Sequence, residues 1–196
     1  MLIQKEKLKI ILGSSSKWRK EIFEEMGYAF EVINPDIDEK AIRFENSEKL
    51  TLALAEAKNK AIQDKIKINA IIVTSDQVVV CNGKIREKPI NKNQAREFLK
   101  SYAKYPAETC TAVMVVNTGN AKTSKGVDMA KVWFKPFPED FINLIIKKGD
   151  VLNSAGSFTR GDSLFEPFVI RQEGDKDSII GLPKKLTRRL IEEVIV

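Results

Sequence analysis

Residues 70–83 of this chain read AIIVTSDQVVVCNG, with an apolar, β-branched run on each side of four polar residues that include Asp76. The two runs predict strands at 70–73 and 78–81, and the closing Asn-Gly pair is a strong signal for a two-residue hairpin. A polar tetrad therefore interrupts an apolar β region. Because a carboxylate held close to a sheet needs a partner, we expect Asp76 to meet a metal ion, a water molecule or a lysine.

Strand and helix patterns continue on both sides of this region. An apolar run at 9–12 stops at Gly13, and a helical pattern that Ser16 can cap then starts near Trp18. The other patterns predict strands at 30–33, 109–116, 127–134 and 168–171, and helices at 47–64, 93–105, 138–149 and from 183 to the end. In the helix at 47–64, the predicted apolar face consists of Leu50, Leu54, Ala57 and Ala61.

This mixture of elements predicts an α/β fold with a mixed sheet flanked by helices. The chain is long enough for one domain over 1–196, and the antiparallel pair of strands between 109 and 134 predicts a smaller lobe around 107–150. A cleft between two lobes is a natural place for a ligand.

The composition excludes several kinds of chemistry. None of the 196 residues is histidine, so the chain cannot use a Ser-His-Asp or Cys-His nucleophile or a zinc site that contains histidine. Carboxylates, lysines and arginines remain as the groups that can act. The two cysteines, Cys81 and Cys110, lie in apolar runs and are predicted to be buried, reduced thiols.

The charge and hydropathy patterns indicate a soluble, cytoplasmic protein with no membrane partner. No stretch approaches the roughly 18 uncharged apolar residues that a membrane helix needs. The net charge is +6, but the 33 Lys and Arg residues are scattered among 27 Asp and Glu residues. The basic residues therefore predict a solvated surface, and they allow attraction of a polyanionic small molecule into a cleft.

The loop GSSS at 13–16 is the first candidate site because it joins a predicted strand to a predicted helix. Backbone N–H groups at a helix start favour a phosphate, and the hydroxyl of Ser14 adds a donor. A plain capping turn is the alternative. Arg19 and Lys20 favour the phosphate interpretation, since two cations in the first turns oppose the helix dipole unless an anion is bound there.

Acidic and basic side chains elsewhere give three further candidates. Three carboxylates occur at 36–39, where they either bind a metal such as Mg²⁺ or form an acidic turn that caps the next segment. Lys58 follows Leu54 by one helical turn, so its side chain either reaches back to solvent or points into a site. Lys88 lies just beyond the hairpin that follows Asp76, where it enters the same cleft or forms a surface salt bridge.

Together these segments resemble the Maf family of nucleoside triphosphate pyrophosphatases. The resemblance rests on seven motifs in the family's order and spacing: Leu12–Lys20, Pro35–Glu39, Leu54–Lys58, Ser75–Val78, Lys88-Pro89, Ala155–Phe158 and Gly181–Pro183. It implies a Maf/ITPase-like fold, which is two-lobed with an elongated mixed β-sheet, and a homodimer. It also implies hydrolysis of a nucleoside triphosphate between the α- and β-phosphates, which releases a nucleoside monophosphate and pyrophosphate.

The resemblance assigns roles to individual residues. The predicted phosphate-binding residues are Ser14, Arg19, Lys20, Lys58 and Lys88. Glu39 and Asp76 are predicted to hold one or two Mg²⁺ or Mn²⁺ ions, which polarise the α-phosphate and lower the pKa of the attacking water. Because the chain has no histidine, Asp76 is also predicted to be the general base.

The choice of nucleotide rests on fewer residues. Trp18, Gln77 and the segment at 155–158 resemble the branch associated with 7-methylguanosine triphosphate. An indole attracts the cationic ring of an N7-methylated purine more than a neutral ring, by about 0.5–2 kcal/mol. The alternative for Trp18 is a core aromatic residue. The family's proline is Lys17 here, and Gly161 aligns with a glutamate of that branch. Either Asp162 takes over the contact of that glutamate with the base, or the specificity is relaxed.

Two other functions are compatible with the sequence. One is a pyrophosphatase for pyrimidine triphosphates such as UTP, CTP or dTTP. The other is a non-catalytic regulator that binds a nucleotide or a nucleic acid. No continuous basic patch with interleaved aromatic residues supports nucleic-acid binding. The pairs Lys184-Lys185 and Arg188-Arg189 are instead predicted to form a solvated face of the last helix.

Overall fold

The computed structural model describes residues 8–195, so the first seven residues and the last residue of the predicted domain lie outside it. In this range seven strands form one mixed sheet in the order β2-β1-β3-β5-β6-β7, and β4 also pairs with β3. They are β1 Lys9–Gly13, β2 Phe30–Val32, β3 Ala70–Cys81, β4 Lys84–Arg86, β5 Ala107–Asn117, β6 Lys122–Phe134 and β7 Val169–Glu173. β1 runs parallel to β2 and β3, and the other pairs are antiparallel.

Six α-helices accompany the sheet within the described residues. They are α1 Lys17–Glu25, α2 Ser47–Lys65, α3 Lys92–Ser101, α4 Glu139–Lys148, α5 Lys176–Ile180 and α6 Lys184–Ile195. Short 3-10 turns occupy Glu39–Ala41, Asp150–Asn153, Ala155–Ser157 and Ser163–Phe168. The sequence patterns did not predict α5, and the helix predicted at 93–105 ends at Ser101.

The strand at 70–81 is continuous, so the prediction of two β runs separated by a polar tetrad is wrong. β3 pairs with β1 on one side and with β5 on the other, and the ladder crosses the tetrad without a break. The polar side chains fit a buried strand because they find partners. The Thr74 hydroxyl donates to the Ala55 carbonyl at 2.8 Å, and the Ser75 hydroxyl donates to the Gly181 carbonyl at 3.2 Å.

The predicted Asn-Gly hairpin is confirmed. Asn82 has φ 51° and Gly83 has φ 70°, and the positive values at both positions are those of a tight hairpin turn between β3 and β4. β6 begins at Lys122 rather than at 127. Its first four residues, Lys122 to Lys125, are polar or charged and largely exposed, so they lack an apolar pattern although they pair with β5.

Helices cover both faces of the sheet, as predicted. Ile71 and Val73 belong to an apolar cluster with residues of α1 and α6, whereas Ala70 and Ile72 on the other face cluster with Ile62 of α2. A third cluster, rich in phenylalanine, joins α3 and α4 to the far end of the sheet. The smaller lobe around 107–150 stays a prediction. Cys81 and Cys110 are buried free thiols, and burial raises the pKa of both.

The buried face of α2 differs from the predicted one. Leu50 and Leu54 are buried, but Ala57 and Ala61 are only partly buried. Against β1, β3 and β5 the helix instead buries two further apolar residues, Ala55 and Ile62, and three polar ones, Thr51, Lys58 and Asn59. These polar residues are accommodated because they have partners, such as the Ile72 carbonyl, which accepts from the Asn59 amide at 3.3 Å.

Among residues 8–195, no helix combines the length and the apolar character needed to cross a membrane.

Candidate active site

A cleft of about 810 Å³ lies where the end of β1, the middle of β3 and α2 meet the segments 34–43 and 150–159. Its lining includes eight of the candidate residues predicted from the sequence: Ser14, Trp18, Arg19, Glu39, Lys58, Asp76, Gln77 and Lys88. The structure therefore brings together residues that are far apart in the sequence.

The loop at 13–16 is tightly built. A Cβ at Gly13 would lie 2.6 Å from a methyl group of Thr74 and still closer to Ile62, so only glycine fits there. The Ser14 hydroxyl accepts from the Ser16 N–H at 3.1 Å, and the Ser16 hydroxyl caps α1 by accepting from the Arg19 N–H at 3.4 Å. The predicted capping turn is thus present at the cleft, and phosphate binding by Ser14 stays a prediction.

Arg19 is fixed by two backbone carbonyls. Its Nε donates to the Gly181 carbonyl at 2.9 Å, and its Nη1 donates to the Ser75 carbonyl at 2.8 Å. Burial lowers the pKa of Arg19, and the negative charges of Asp76 and Glu39 oppose that shift. A guanidinium remains protonated in proteins, so Arg19 contributes a fixed positive charge to the cleft.

Lys20 is the phosphate-binding candidate that the structure leaves outside the cleft lining. Its side chain is exposed, and its Nζ lies 3.7 Å from a carboxylate oxygen of Glu24. Ion pairing on the outer surface of α1 accounts for Lys20.

Lys58 lies between two carboxylates. Its Nζ is 2.5 Å from Asp76 Oδ1 and 2.7 Å from Glu39 Oε1. Lys88 Nζ lies 3.9 Å from the other oxygen of Glu39. Burial alone would raise the pKa of Glu39, but the charges of Lys58, Lys88 and Arg19 more than offset burial and lower it. Lys58 is therefore partnered and faces the cleft.

Two features of this arrangement fit a divalent cation. The carboxylates of Glu39 and Asp76 already converge on one positive charge, and both are hard oxygen donors of the kind that Mg²⁺ prefers. Within residues 8–195 there is no group of three or more His, Cys, Asp or Glu side chains placed to hold a metal. Mg²⁺ commonly uses one or two carboxylates and takes its other ligands from water and phosphate.

The acidic segment at 36–39 has two structural roles. The Asp38 carboxylate accepts from the Lys40 N–H at 3.0 Å and caps the 3-10 turn Glu39–Ala41, as the alternative interpretation predicted. Asp36 has φ 53°, in the left-handed region. The turn aims the side chain of Glu39 at Lys58, so the segment forms an acidic turn and also contributes one carboxylate to the cleft.

Trp18 and Gln77 line the same cleft. Trp18 is only partly buried, so it is not the core aromatic residue of the alternative interpretation. Lys17 Nζ lies over its indole, 4.5 Å from the ring centroid. The Gln77 amide donates to the Thr111 hydroxyl at 2.8 Å and to the Ser178 carbonyl at 2.9 Å, which ties β3 to α5.

Gly161 and Asp162, which were predicted to contact the base, do not line the cleft. A Cβ at Gly161 would lie 2.6 Å from Cζ3 and 2.7 Å from Cδ2 of Trp18, so a glutamate at 161 is incompatible with this position of the indole. Both carboxylate oxygens of Asp162 have partners. One accepts from Lys148 Nζ at 2.5 Å, and the other caps a 3-10 turn by accepting from the Leu164 N–H at 3.1 Å.

Asp162 is therefore expected to support stability rather than base recognition. Burial alone would raise its pKa, but hydrogen bonds from Lys148 and the Leu164 N–H lower it. A lowered pKa contributes stability at neutral pH that is lost as the pH falls through the folded-state pKa. We expect Asp162→Asn to reduce the free energy of unfolding by about 1–2 kcal/mol at neutral pH, since Lys148 is partly in solvent.

Urea denaturation of the Asp162→Asn variant and the parent at neutral pH and in acid measures this effect. The difference should shrink in acid, where both side chains are neutral. Equal stability at neutral pH, or a changed order of preference among nucleotides, would contradict this role.

Sequence reasoning missed other residues that line the cleft. Asp150 and Asn153 belong to the 3-10 turn after α4, and both line the cleft. The helix predicted at 138–149 ends at Gly149, but no motif marks the residues that follow it. Only their position, shortly before the segment at 155–158, connects them to the site.

Comparison with known proteins agrees with the arrangement of these motifs. A family model described as Maf-like protein matches residues 9–194. A 7-methyl-GTP pyrophosphatase of Dictyostelium discoideum is 44% identical over 192 residues, which cover 94% of this chain and 96% of that protein. A 7-methyl-GTP pyrophosphatase of Idiomarina loihiensis is 36% identical, covering 90% and 89% respectively. A dTTP/UTP pyrophosphatase of Vibrio vulnificus is 34% identical, covering 95% and 99%. The chain therefore belongs to the Maf family.

Proposed function

We propose that this protein is a nucleoside triphosphate pyrophosphatase that cleaves between the α- and β-phosphates of its substrate. The observation that carries the proposal is the meeting of three cations, Arg19, Lys58 and Lys88, with the carboxylates of Glu39 and Asp76 in one cleft. Cations fit the phosphates, and a buried carboxylate fits a group that accepts a proton from water. The names of the three relatives support the same reaction.

The chain's own groups account for the binding of the phosphates. A nucleoside triphosphate carries about four negative charges, and the fixed guanidinium of Arg19 and the two lysines neutralise part of them. Ser14 lies beside them at the start of α1, where hydroxyl and N–H donors suit phosphate oxygens. Binding of the phosphates would draw Lys58 away from its two carboxylates.

Asp76 performs the proton transfer in this proposal. Its carboxylate accepts a proton from a water molecule, whose oxygen forms a bond to the α-phosphorus while the bond to the bridging oxygen breaks and pyrophosphate leaves. Glu39 and Asp76 would hold Mg²⁺ or Mn²⁺, which supplies charge neutralisation to the phosphate when bound. β3 positions the Asp76 side chain, which is 7% exposed, so little reorganisation of the backbone is needed at the moment of reaction.

We further propose 7-methylguanosine triphosphate, or a similarly modified purine nucleotide, as the preferred substrate. The indole of Trp18 at the cleft suits a cationic ring, and two of the relatives carry the name 7-methyl-GTP pyrophosphatase. Pyrimidine triphosphates are the second candidate, because the Vibrio vulnificus relative is named for dTTP and UTP.

The non-catalytic regulator finds less support. Lys184, Lys185 and Arg189 on α6 each lie within 4.0 Å of a carboxylate, on Glu25, Asp175 and Glu193 respectively. These basic residues therefore belong to ion pairs rather than to a continuous surface of unpaired positive charge. A homodimer, which the family resemblance implies, and a cytoplasmic location, which the charge and hydropathy patterns favour, complete the proposal.

The test is a panel of canonical and base-modified nucleoside triphosphates, incubated with the purified protein and Mg²⁺ or Mn²⁺ while pyrophosphate release is measured. Release that needs the metal and is fastest with 7-methylguanosine triphosphate is the expected result. Faster release from UTP or dTTP would keep the reaction and change the substrate. No release from any nucleotide by folded protein would refute the proposed reaction, and RNA or DNA binding that weakens steeply with salt would then favour a regulator.

A further inference from the structure

The Trp18 side of the cleft contains a carboxylate that the sequence motifs do not mark. Asp150 lines the cleft, and its Oδ2 lies 3.7 Å from Lys17 Nζ. The same ammonium lies 4.5 Å from the centroid of the Trp18 ring, so Asp150, Lys17 and Trp18 form one cluster. In the proposed function Arg19, Lys58 and Lys88 bind the phosphates of the nucleotide, so this cluster is left to contact the base.

A purine base offers N–H groups on its pairing edge, and these need an acceptor. The two residues that the sequence suggested for this purpose do not supply one. Gly161 has no side chain, and both carboxylate oxygens of Asp162 are engaged by Lys148 and the Leu164 N–H. The acceptor must therefore come from another part of the cleft.

Asp150 is held in place and still has capacity to accept hydrogen bonds. Gly149, with φ 93°, ends α4 directly before it, and the Asp150 carbonyl accepts from the Ser154 hydroxyl at 3.0 Å. Its side chain is 35% exposed, and Lys17 and Lys148 both approach its Oδ2 only to 3.7 Å. That distance is too long for a direct hydrogen bond, so ligand donors can reach the carboxylate.

The position of Lys17 shows what this cluster stabilises. An ammonium held over an indole and beside a carboxylate occupies a site suited to a cation. The ring of an N7-methylated purine is itself cationic, and it also carries N–H donors for the carboxylate. We propose that Asp150 is the residue that recognises the base, and that a cationic purine ring replaces the Lys17 ammonium on Trp18. This inference rests on the proposed function, because it needs a nucleotide in the cleft.

Binding of nucleoside monophosphates tests the inference independently of hydrolysis. Isothermal titration calorimetry would compare 7-methyl-GMP with UMP on the full-length protein and three variants. We expect Asp150→Asn to weaken the binding of 7-methyl-GMP by about tenfold or more, because a charged hydrogen-bond acceptor is lost, and to change the affinity for UMP much less. Lys17→Met should raise the affinity for 7-methyl-GMP by about threefold, because the ammonium that competes for the Trp18 ring is gone.

Asp140→Asn is the matched control. Asp140 is exposed in the first turn of α4, and its substitution changes the net charge by the same amount as Asp150→Asn. Equal affinity of the Asp150→Asn and Asp140→Asn variants for 7-methyl-GMP would overturn the assignment, as would a parent protein that hydrolyses nucleotides but binds UMP as tightly as 7-methyl-GMP. Absence of hydrolysis together with Asp150-dependent binding would refute the proposed reaction and keep Asp150 as the base-recognising residue.

Discussion

Asp76→Asn is expected to lower kcat by about 10² to 10⁴ at saturating nucleotide, which is the usual contribution of a general base. The substitution keeps the size of the side chain but removes its ability to accept a proton from water. It also removes one of the two carboxylates proposed to hold the metal. Pyrophosphate release at saturating nucleotide and Mg²⁺ measures the effect.

Asp64→Asn is the control for this experiment because Asp64 is exposed near the end of α2 and does not line the cleft. Urea denaturation of both variants separates loss of catalysis from loss of folding. If a folded Asp76→Asn protein kept more than about a tenth of the parent kcat, the general base would have to be another group.

Lys58→Met is expected to affect both catalysis and stability. Methionine fills similar space without a charge, so the phosphates lose a cation, and we expect kcat/KM to fall by about 10² or more. The carboxylates of Glu39 and Asp76 would then face each other without the ammonium between them. Removal of one partner from a buried ion pair costs about 3–5 kcal/mol, and the partial exposure of Glu39 places this case near about 2–3 kcal/mol.

The same variant tests where the metal binds. If Mg²⁺ occupies the position between the two carboxylates, it should stabilise the Lys58→Met protein more than the parent, whose own ammonium competes for that position. Urea denaturation with and without millimolar Mg²⁺ measures this, with Lys60→Met as a control because Lys60 is exposed on the same helix. Equal stabilisation of the parent and the Lys58→Met variant would show that Lys58 does not occupy a metal position.

Local signals predicted those parts of the fold that depend on neighbouring residues. The Ser16 cap of α1, the Asn82-Gly83 hairpin and the Gly149 end of α4 are confirmed because each depends on a few adjacent side chains and their backbone angles. The continuity of β3 was not predicted. The Thr74 and Ser75 hydroxyls find acceptors on α2 and on the loop before α6, and sequence patterns do not reveal such distant partners.

In the candidate site, too, the sequence predicted which residues come together but not how each side chain is oriented. Family motifs predicted that Arg19, Lys58 and Asp76 would meet in one cleft, and the structure brings them together. The motifs could not indicate the direction of individual side chains. Asp162 directly follows Gly161, the position that aligns with the glutamate of the 7-methylguanosine triphosphate branch, yet its carboxylate binds Lys148 instead of lining the cleft. Asp150 belongs to no motif and reaches the cleft because α4 ends where it does.

The placement of Asp76 on β3 affects which parts of the cleft can accept substitutions. β3 has neighbours on both sides, so its amide protons can exchange with solvent only when a large part of the sheet opens. The segment 150–168 consists mainly of short 3-10 turns, which side chains such as Phe158 and Phe165 anchor in the core. Substitutions at partly exposed positions of these turns, such as Asp150, can therefore change the contacts proposed for the base while the strand that carries Asp76 keeps its place.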